Sequence, residues 1–98
     1  MDEVRDGLLK EAVQLWGQNS QMGMAQEECA ELIVAVNKYF RDDSAINVTK
    51  LASEIADVEI MMAQLREIID GPGGCLVDTA KRAKLIRLQR RIDEFKNQ

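Results

Sequence analysis

Histidine is absent from this sequence of 98 residues. Its absence excludes Ser-His-Asp and Cys-His catalytic systems, together with every metal site that needs an imidazole ligand. Any chemistry performed by this chain therefore depends on carboxylates, lysines and arginines, or on a metal ion that these groups hold.

Cysteines and long apolar runs are also scarce. The only two cysteines, Cys29 and Cys75, lie far apart and form no CxxC motif, so we expect buried, reduced thiols. No apolar run approaches the ~20 residues that a membrane-spanning helix needs. The acidic, charge-interrupted N-terminus is unlike a signal or transit peptide. These features predict a cytoplasmic protein with no membrane partner.

The overall charge and hydrophobicity restrict the partners further. A formal net charge of −4 argues against a nucleic-acid partner bound through a broad basic surface. Hydrophobic residues make up 46% of the chain, which is more apolar surface than a lone chain of this length is expected to bury. The length predicts a single domain over residues 1–98, and the hydrophobicity predicts that it is an oligomer.

The sequence has one proline and few alternating β-branched runs, and its apolar residues recur with a helical period. Asn19 or Ser20 is expected to cap the second helix and Asn47 the third, and "DGPGG" at 70–74 is the clearest break. The pattern predicts four helices, over about residues 2–18, 21–41, 48–69 and 76–96. Because the links are short, we predict an all-α, antiparallel four-helix bundle.

Two helices carry acids in an unusual position. On a helical wheel, Glu28 falls within the apolar stripe of the second helix, and Glu31 lies one turn along at its edge. The third helix repeats this arrangement with Glu54 and Asp57. Each pair has i, i+3 spacing, so its side chains are neighbours. Acid runs are usually solvated faces, but these acids share the side of the helix that packs.

Carboxylates buried together without partners are costly, and they raise one another's pKa. Buried arginine or lysine side chains are one way to neutralise them, and a hard divalent cation is another. The second is favoured because the pairs offer only oxygen ligands, which suit Mg²⁺, with Mn²⁺ as a substitute. A di-iron bundle is disfavoured, because its usual motif includes histidine.

The fourth helix carries cations beside its apolar stripe. Lys81 lies in line with the stripe, Lys84 and Arg91 flank it, and Arg87 lies farther out. Two interpretations stay open. These side chains can extend along an amphipathic helix to reach water, or they can bind phosphate oxygens beside a metal ion.

The segments "EECAEL" and "SEIADVEIM" together resemble the MazG-like family of all-α nucleoside triphosphate pyrophosphohydrolases. The family pattern is E-E-x-x-E, a variable gap, then E-x-x-D, and it is matched by Glu27, Glu28, Glu31, Glu54 and Asp57. The resemblance also includes the flanking segments and covers nearly the whole chain. It implies a helical bundle completed by tight homodimerisation, sometimes as a pair of dimers. The implied reaction is Mg²⁺-dependent cleavage of a (d)NTP to a (d)NMP and pyrophosphate.

Carried onto this chain, the resemblance implies that Glu28, Glu31, Glu54 and Asp57 are metal ligands. Glu27 matches the first acid of the pattern and is expected to serve a second metal or to orient a water molecule. All five acids are thus predicted to be catalytic.

The sequence indicates the residues that would contact the base less clearly than it indicates the metal ligands. Trp16 resembles an aromatic position that lines the nucleotide pocket in the family, although an aromatic residue on a helix is more often part of the core. Gln21, Asn37 and Lys38 are polar candidates for contacts with the base or a phosphate. Asn37 falls opposite Glu28 on the wheel, so it would reach a site only across a dimer interface.

The third helix also predicts a dimer, because its remaining sides are apolar as well. A helix that is apolar nearly all round must be buried nearly all round. The alternative function is a non-catalytic helical dimerisation or regulatory module, and a different metal-dependent phosphohydrolase is a further rival. An interaction module explains the amphipathic helices but not the acids in their apolar stripes.

Overall fold

The computed structural model describes residues 2–71 and 73–98, with side chains described from residue 7 onward. Within these residues the chain forms four α-helices and no β-strand. The all-α fold class is therefore confirmed. Pro72, part of the predicted break, lies outside the described residues. The helices are α1 (Asp2–Trp16), α2 (Gln18–Arg41), α3 (Ala45–Asp70) and α4 (Leu76–Lys96).

The chain divides into two compact units, Met1–Ile68 and Ile69–Gln98. The first unit contains α1, α2 and nearly all of α3. The second contains α4 and the turn that precedes it. The single domain over residues 1–98 and the four-helix arrangement of the bundle stay predictions.

A single glycine separates α1 from α2. Gly17 has φ 86° and ψ 157°, a conformation that is nearly closed to residues with a side chain. Its N–H donates to the Val13 carbonyl at 2.8 Å, which completes the end of α1. The prediction that a polar break separates the two helices between residues 18 and 21 is wrong, because α2 begins at Gln18. Asn19 and Ser20 lie inside α2 and do not cap it. One residue in this conformation is sufficient to join the two helices.

Substituting alanine at Gly17 is expected to lower the free energy of unfolding by about 2 kcal/mol, the typical cost of a strained backbone conformation. No atom lies within 4 Å of the added methyl group, so the cost is in the backbone alone. Gly7→Ala is the matched control, because Gly7 lies within α1, and its added methyl also meets nothing within 4 Å. Urea unfolding of the two variants measures the difference, and equal stabilities would contradict the assignment.

Three residues join α2 to α3, and the predicted start of α3 at residue 48 is too late. The helix begins at Ala45, and the Ser44 hydroxyl accepts the Asn47 N–H at 3.4 Å. Asn47 is therefore not the cap, because it already lies in the first turn. Its side-chain amide instead donates to the carbonyls of Asp42 at 2.8 Å and Lys38 at 3.4 Å. Asn47 thus ties the end of α2 to the start of α3.

Helices α2 and α3 run antiparallel. Lys38, late in α2, lines a cleft with Asn47, early in α3, whereas Met22, early in α2, lines a groove with Leu65, late in α3. The buried apolar side chains of the described residues lie on these two helices: Ala25, Ala35 and Met61. Two of the three are alanines, which allow the helices to approach each other closely.

In the second unit, α4 begins at Leu76 as predicted. The Asp70 carboxylate accepts the N–H groups of Leu76 at 3.0 Å and Val77 at 3.4 Å, so it satisfies two donors of the first turn. Every residue of α4 except Val77 is exposed.

Both cysteines are unpaired, as free thiols. The prediction that both are buried is wrong, because Cys75 is exposed just before α4 and Cys29 is only half-buried.

Many large apolar side chains remain exposed on the single chain. Ile33 is 64% exposed and Phe40 87% exposed on α2, and Ile60 is 47% exposed on α3. Helix α3 is thus apolar on more sides than the single chain covers. Among the helices that the structure describes, none has the combination of length and hydropathy that crossing a bilayer requires.

Candidate metal centre

Three half-buried carboxylates meet where α2 packs against α3. One oxygen atom from each of Glu28, Glu54 and Asp57 lies within 4.8 Å of the other two. Glu54 and Asp57 are neighbours because they are three residues apart on α3. The antiparallel packing places the middle of α2, which carries Glu28, opposite them. The convergence of acids from two helices, which the wheel suggested, is present for these three residues.

The local environment raises the pKa of Glu28 to about 7. Loss of solvent around the carboxyl group is the largest cause, followed by repulsion from the charges of Glu31 and Asp57. The close approach of the Glu54 carboxyl group and its charge raise the pKa further. A neighbouring cation would instead lower the pKa. None of the causes of the shift is a cation, so no arginine or lysine among the described residues neutralises Glu28.

Two oxygen atoms of the cluster lack a partner. Glu28 Oε2 and Glu54 Oε2 are both buried, and neither has a hydrogen-bond partner. Buried, ionised oxygens without a donor or cation are strongly unfavourable. The donor set consists of carboxylate oxygens alone, which is the set that Mg²⁺ prefers. A divalent cation held by Glu28, Glu54 and Asp57 therefore fits the residues that are present.

The other two predicted acids lie outside this group of three. Glu31 is exposed, but its charge acts on Glu28, and its side chain lines an adjoining cleft together with Glu54. It therefore lies at the edge of the cluster, as its position on the wheel indicated. Glu27 is exposed and is not part of the cluster, so its role in catalysis stays a prediction.

A cleft of about 280 Å³ opens beside the cluster, between the last turns of α2 and the first turns of α3. Its lining includes Glu31 and Glu54, and also two lysines, Lys38 and Lys50. Lys38 was a candidate from the sequence, but Lys50 was missed. The signal was its position four residues before Glu54, which places both on one face of α3. The cleft is lined by Glu31, Val34, Ala35, Lys38, Asn47, Lys50, Ser53 and Glu54.

The remaining base-binding candidates lie away from this cleft. Trp16 is 61% exposed and lines a shallow depression formed by α1 residues. Gln21 is buried, and its amide contacts the Met24 sulfur at 3.6 Å. Asn37 is exposed and does not line the cleft, as expected for a residue opposite Glu28 on the wheel. Contacts of these three residues with a base stay predictions.

The four predicted phosphate-binding cations are all exposed on α4, in the second unit. Arg91 lines a shallow, mainly apolar groove with Leu88, Ile92 and Phe95, which agrees with a cation extending along an amphipathic helix. The phosphate contacts of Lys81, Lys84, Arg87 and Arg91 stay predictions.

Comparisons with known proteins identify no relative. No family model matches the chain, and neither the curated proteins nor the solved structures contain a significantly similar protein. The case for a function therefore depends on the cluster, the cleft and the motif in the sequence.

The raised pKa of Glu28 predicts a pH-dependent stability of the metal-free protein. The folded state retains a proton on Glu28 up to about pH 7, whereas the unfolded chain releases it near 4.5. The folded state thus binds more protons between these values, so this contribution to stability is complete below about pH 4.5 and is lost as the pH rises through 7.

Thermal unfolding in EDTA between pH 5 and 8 tests this expectation. The melting temperature of the wild-type protein should fall with rising pH relative to that of Glu28→Gln, which keeps the volume but cannot ionise. Glu59→Gln, at an exposed position of α3, is the control and should follow the wild-type curve. Parallel curves for the wild type and Glu28→Gln would show that Glu28 does not titrate in this range.

Proposed function

We propose that this protein is a magnesium-dependent nucleoside triphosphate pyrophosphohydrolase, which converts a (d)NTP to a (d)NMP and pyrophosphate. The observation that carries the proposal is the cluster of Glu28, Glu54 and Asp57 with its two unpartnered carboxylate oxygens. These acids coincide with three of the five acids in the MazG-like pattern. The adjoining cleft provides space and cationic side chains for a phosphate substrate.

In this proposal, Glu28, Glu54 and Asp57 hold the ion, and Glu31 adds a fourth carboxylate at the open side of the cluster. Bound Mg²⁺ supplies a lowered pKa for a coordinated water molecule and compensates the charge of the triphosphate. The protein's own task is to place the acids rigidly on two packed helices, because phosphoryl transfer depends mainly on positioning and electrostatics. Glu27, outside the cluster, orients water or serves a second ion.

The protein is further proposed to act in the cytoplasm as a homodimer or a pair of dimers. Exposed apolar side chains on α2 and α3 support this, because they lie on the same helices as the acids. A dimer built on these helices would stabilise the scaffold of the site. The resemblance to the MazG-like family suggests a role in removing aberrant nucleotides from the cellular pool.

A product assay tests the reaction. Purified protein is incubated with each NTP and dNTP, in Mg²⁺ or Mn²⁺ and in EDTA, and the products are separated by ion-exchange chromatography. We expect monophosphate and pyrophosphate with metal and no turnover in EDTA. Release of single phosphates would instead indicate a different phosphohydrolase.

Glu54→Gln is the decisive variant for the site. It removes one charge without changing the volume, so turnover should fall at least a hundredfold while the circular dichroism spectrum is unchanged. Binding of Mn²⁺, measured by calorimetry, should weaken in parallel. Glu59→Gln removes the same charge from an exposed position of α3 and should retain wild-type turnover. Equal turnover in both variants would rule out Glu54 as an essential ligand.

A non-catalytic interaction module is the second candidate. The observation that favours it is the row of exposed apolar residues on α4, among them Leu85, Leu88 and Phe95. Such a face is suited to packing against another helix. Intact triphosphates in every condition of the product assay would support this candidate over the enzyme.

The proposed dimer is tested by introducing a charge on its expected surface. Ile33 is 64% exposed and lies on a side of α2 away from both Glu28 and Glu31. Ile33→Glu should shift the sedimentation of the protein from dimer to monomer and should reduce both stability and turnover. Gln98→Glu adds the same charge at an exposed position and should have neither effect. A wild-type protein that is monomeric, well folded and active would contradict the proposal.

A further inference from the structure

The cleft beside the acidic cluster has a distinct distribution of charge. Lys38 lies two turns beyond Glu31 on α2, and Lys50 lies one turn before Glu54 on α3. Both lysines are therefore displaced from the acids in the same direction, toward the link between the helices. At a rise of about 1.5 Å per residue, Lys50 lies about 6 Å along α3 from Glu54. Lys38 lies about 10 Å along α2 from Glu31.

The lysine side chains are available to a ligand. Both are exposed, and neither forms an ion pair with a carboxylate of the described residues. Both lysines thus line the cleft without forming an ion pair with its acids. The backbone of Lys38 is tied to the start of α3, because the Asn47 amide donates to the Lys38 carbonyl across the link.

The size of the cleft limits what it can hold. Its volume of about 280 Å³ is just below the range of ~300–1,000 Å³ that is typical of small-molecule sites. It therefore accommodates part of a nucleotide rather than the whole. Lysine ammonium groups on flexible stems are suited to phosphate oxygens, with which they form charge-assisted hydrogen bonds.

We infer that Lys38 and Lys50 bind the phosphate chain of the substrate, which extends from the acidic cluster toward the α2–α3 link. The inference rests on the proposed function, and it assigns phosphate binding to the same two helices that carry the acids. The triphosphate then lies between the cation of the acidic cluster at one end and two ammonium groups at the other. The cations of α4 are not required for this contact.

The test measures the binding of inorganic pyrophosphate in the presence of Mg²⁺ by calorimetry, together with KM and kcat for the preferred triphosphate. Lys38→Gln and Lys50→Gln should each weaken pyrophosphate binding and raise KM by about tenfold, because each variant loses a charge-assisted hydrogen bond to a phosphate oxygen. The value of kcat should change less than KM. Lys50→Arg should restore most of the affinity, and Lys96→Gln, exposed in the last turn of α4, is the control.

The outcomes separate this inference from the proposed function. If the wild type hydrolyses triphosphates but both lysine variants match Lys96→Gln in KM and pyrophosphate affinity, the inference is wrong and the proposed function stands. If the wild type hydrolyses nothing, yet binds pyrophosphate more tightly than the lysine variants do, the anion site stands and the proposed function fails. A wild-type protein that does not bind pyrophosphate overturns the inference. Unchanged unfolding temperatures in the variants confirm that the lysines act on the ligand and not on the fold.

Discussion

The mutual repulsion of carboxylates held together at the contact between α2 and α3 is the constraint on which the rest of the site depends. Loss of solvent and the charges of its neighbours raise the pKa of Glu28 to about 7. Two carboxylate oxygens in the cluster have no partner. The packing of Ala25, Ala35 and Met61 must hold the helices together against this repulsion. A bound divalent cation would make the net electrostatic interaction within the cluster attractive, since the same oxygens would then be drawn to a common positive charge.

The two helices also separate charge along their length. The acids occupy the middle of the pair, and Lys38 and Lys50 lie nearer the link. A substrate that carries both a metal ion and several negative charges can satisfy both regions at once. The short link and the Asn47 amide connect the two helices at the lysine end of the pair. The arrangement is therefore directional, in contrast to a patch of acids on a solvated helix face.

The sequence was sufficient to predict the helical class and the inward direction of Glu28, Glu54 and Asp57, because a helical period relates each acid to the apolar residues beside it. It was insufficient at the start of α2, since the conformation of Gly17 depends on the geometry of both helices that it joins. It also predicts Asn47 as the N-cap of α3, because an asparagine whose side chain ties two helices together looks the same in the sequence as a capping asparagine. Lys50 was missed for a similar reason: a wheel describes one helix alone, whereas the cleft is formed by two.

The three-residue link between α2 and α3 has a consequence for how the site forms during folding. All residues of the acidic cluster and of the lysine-lined cleft belong to one helical hairpin, so their contacts span a short stretch of chain. Closing a short loop costs little conformational entropy, and contacts that are local in sequence form rapidly. We therefore expect the repelling acids to be brought together when the hairpin forms, without waiting for contacts with more distant parts of the chain.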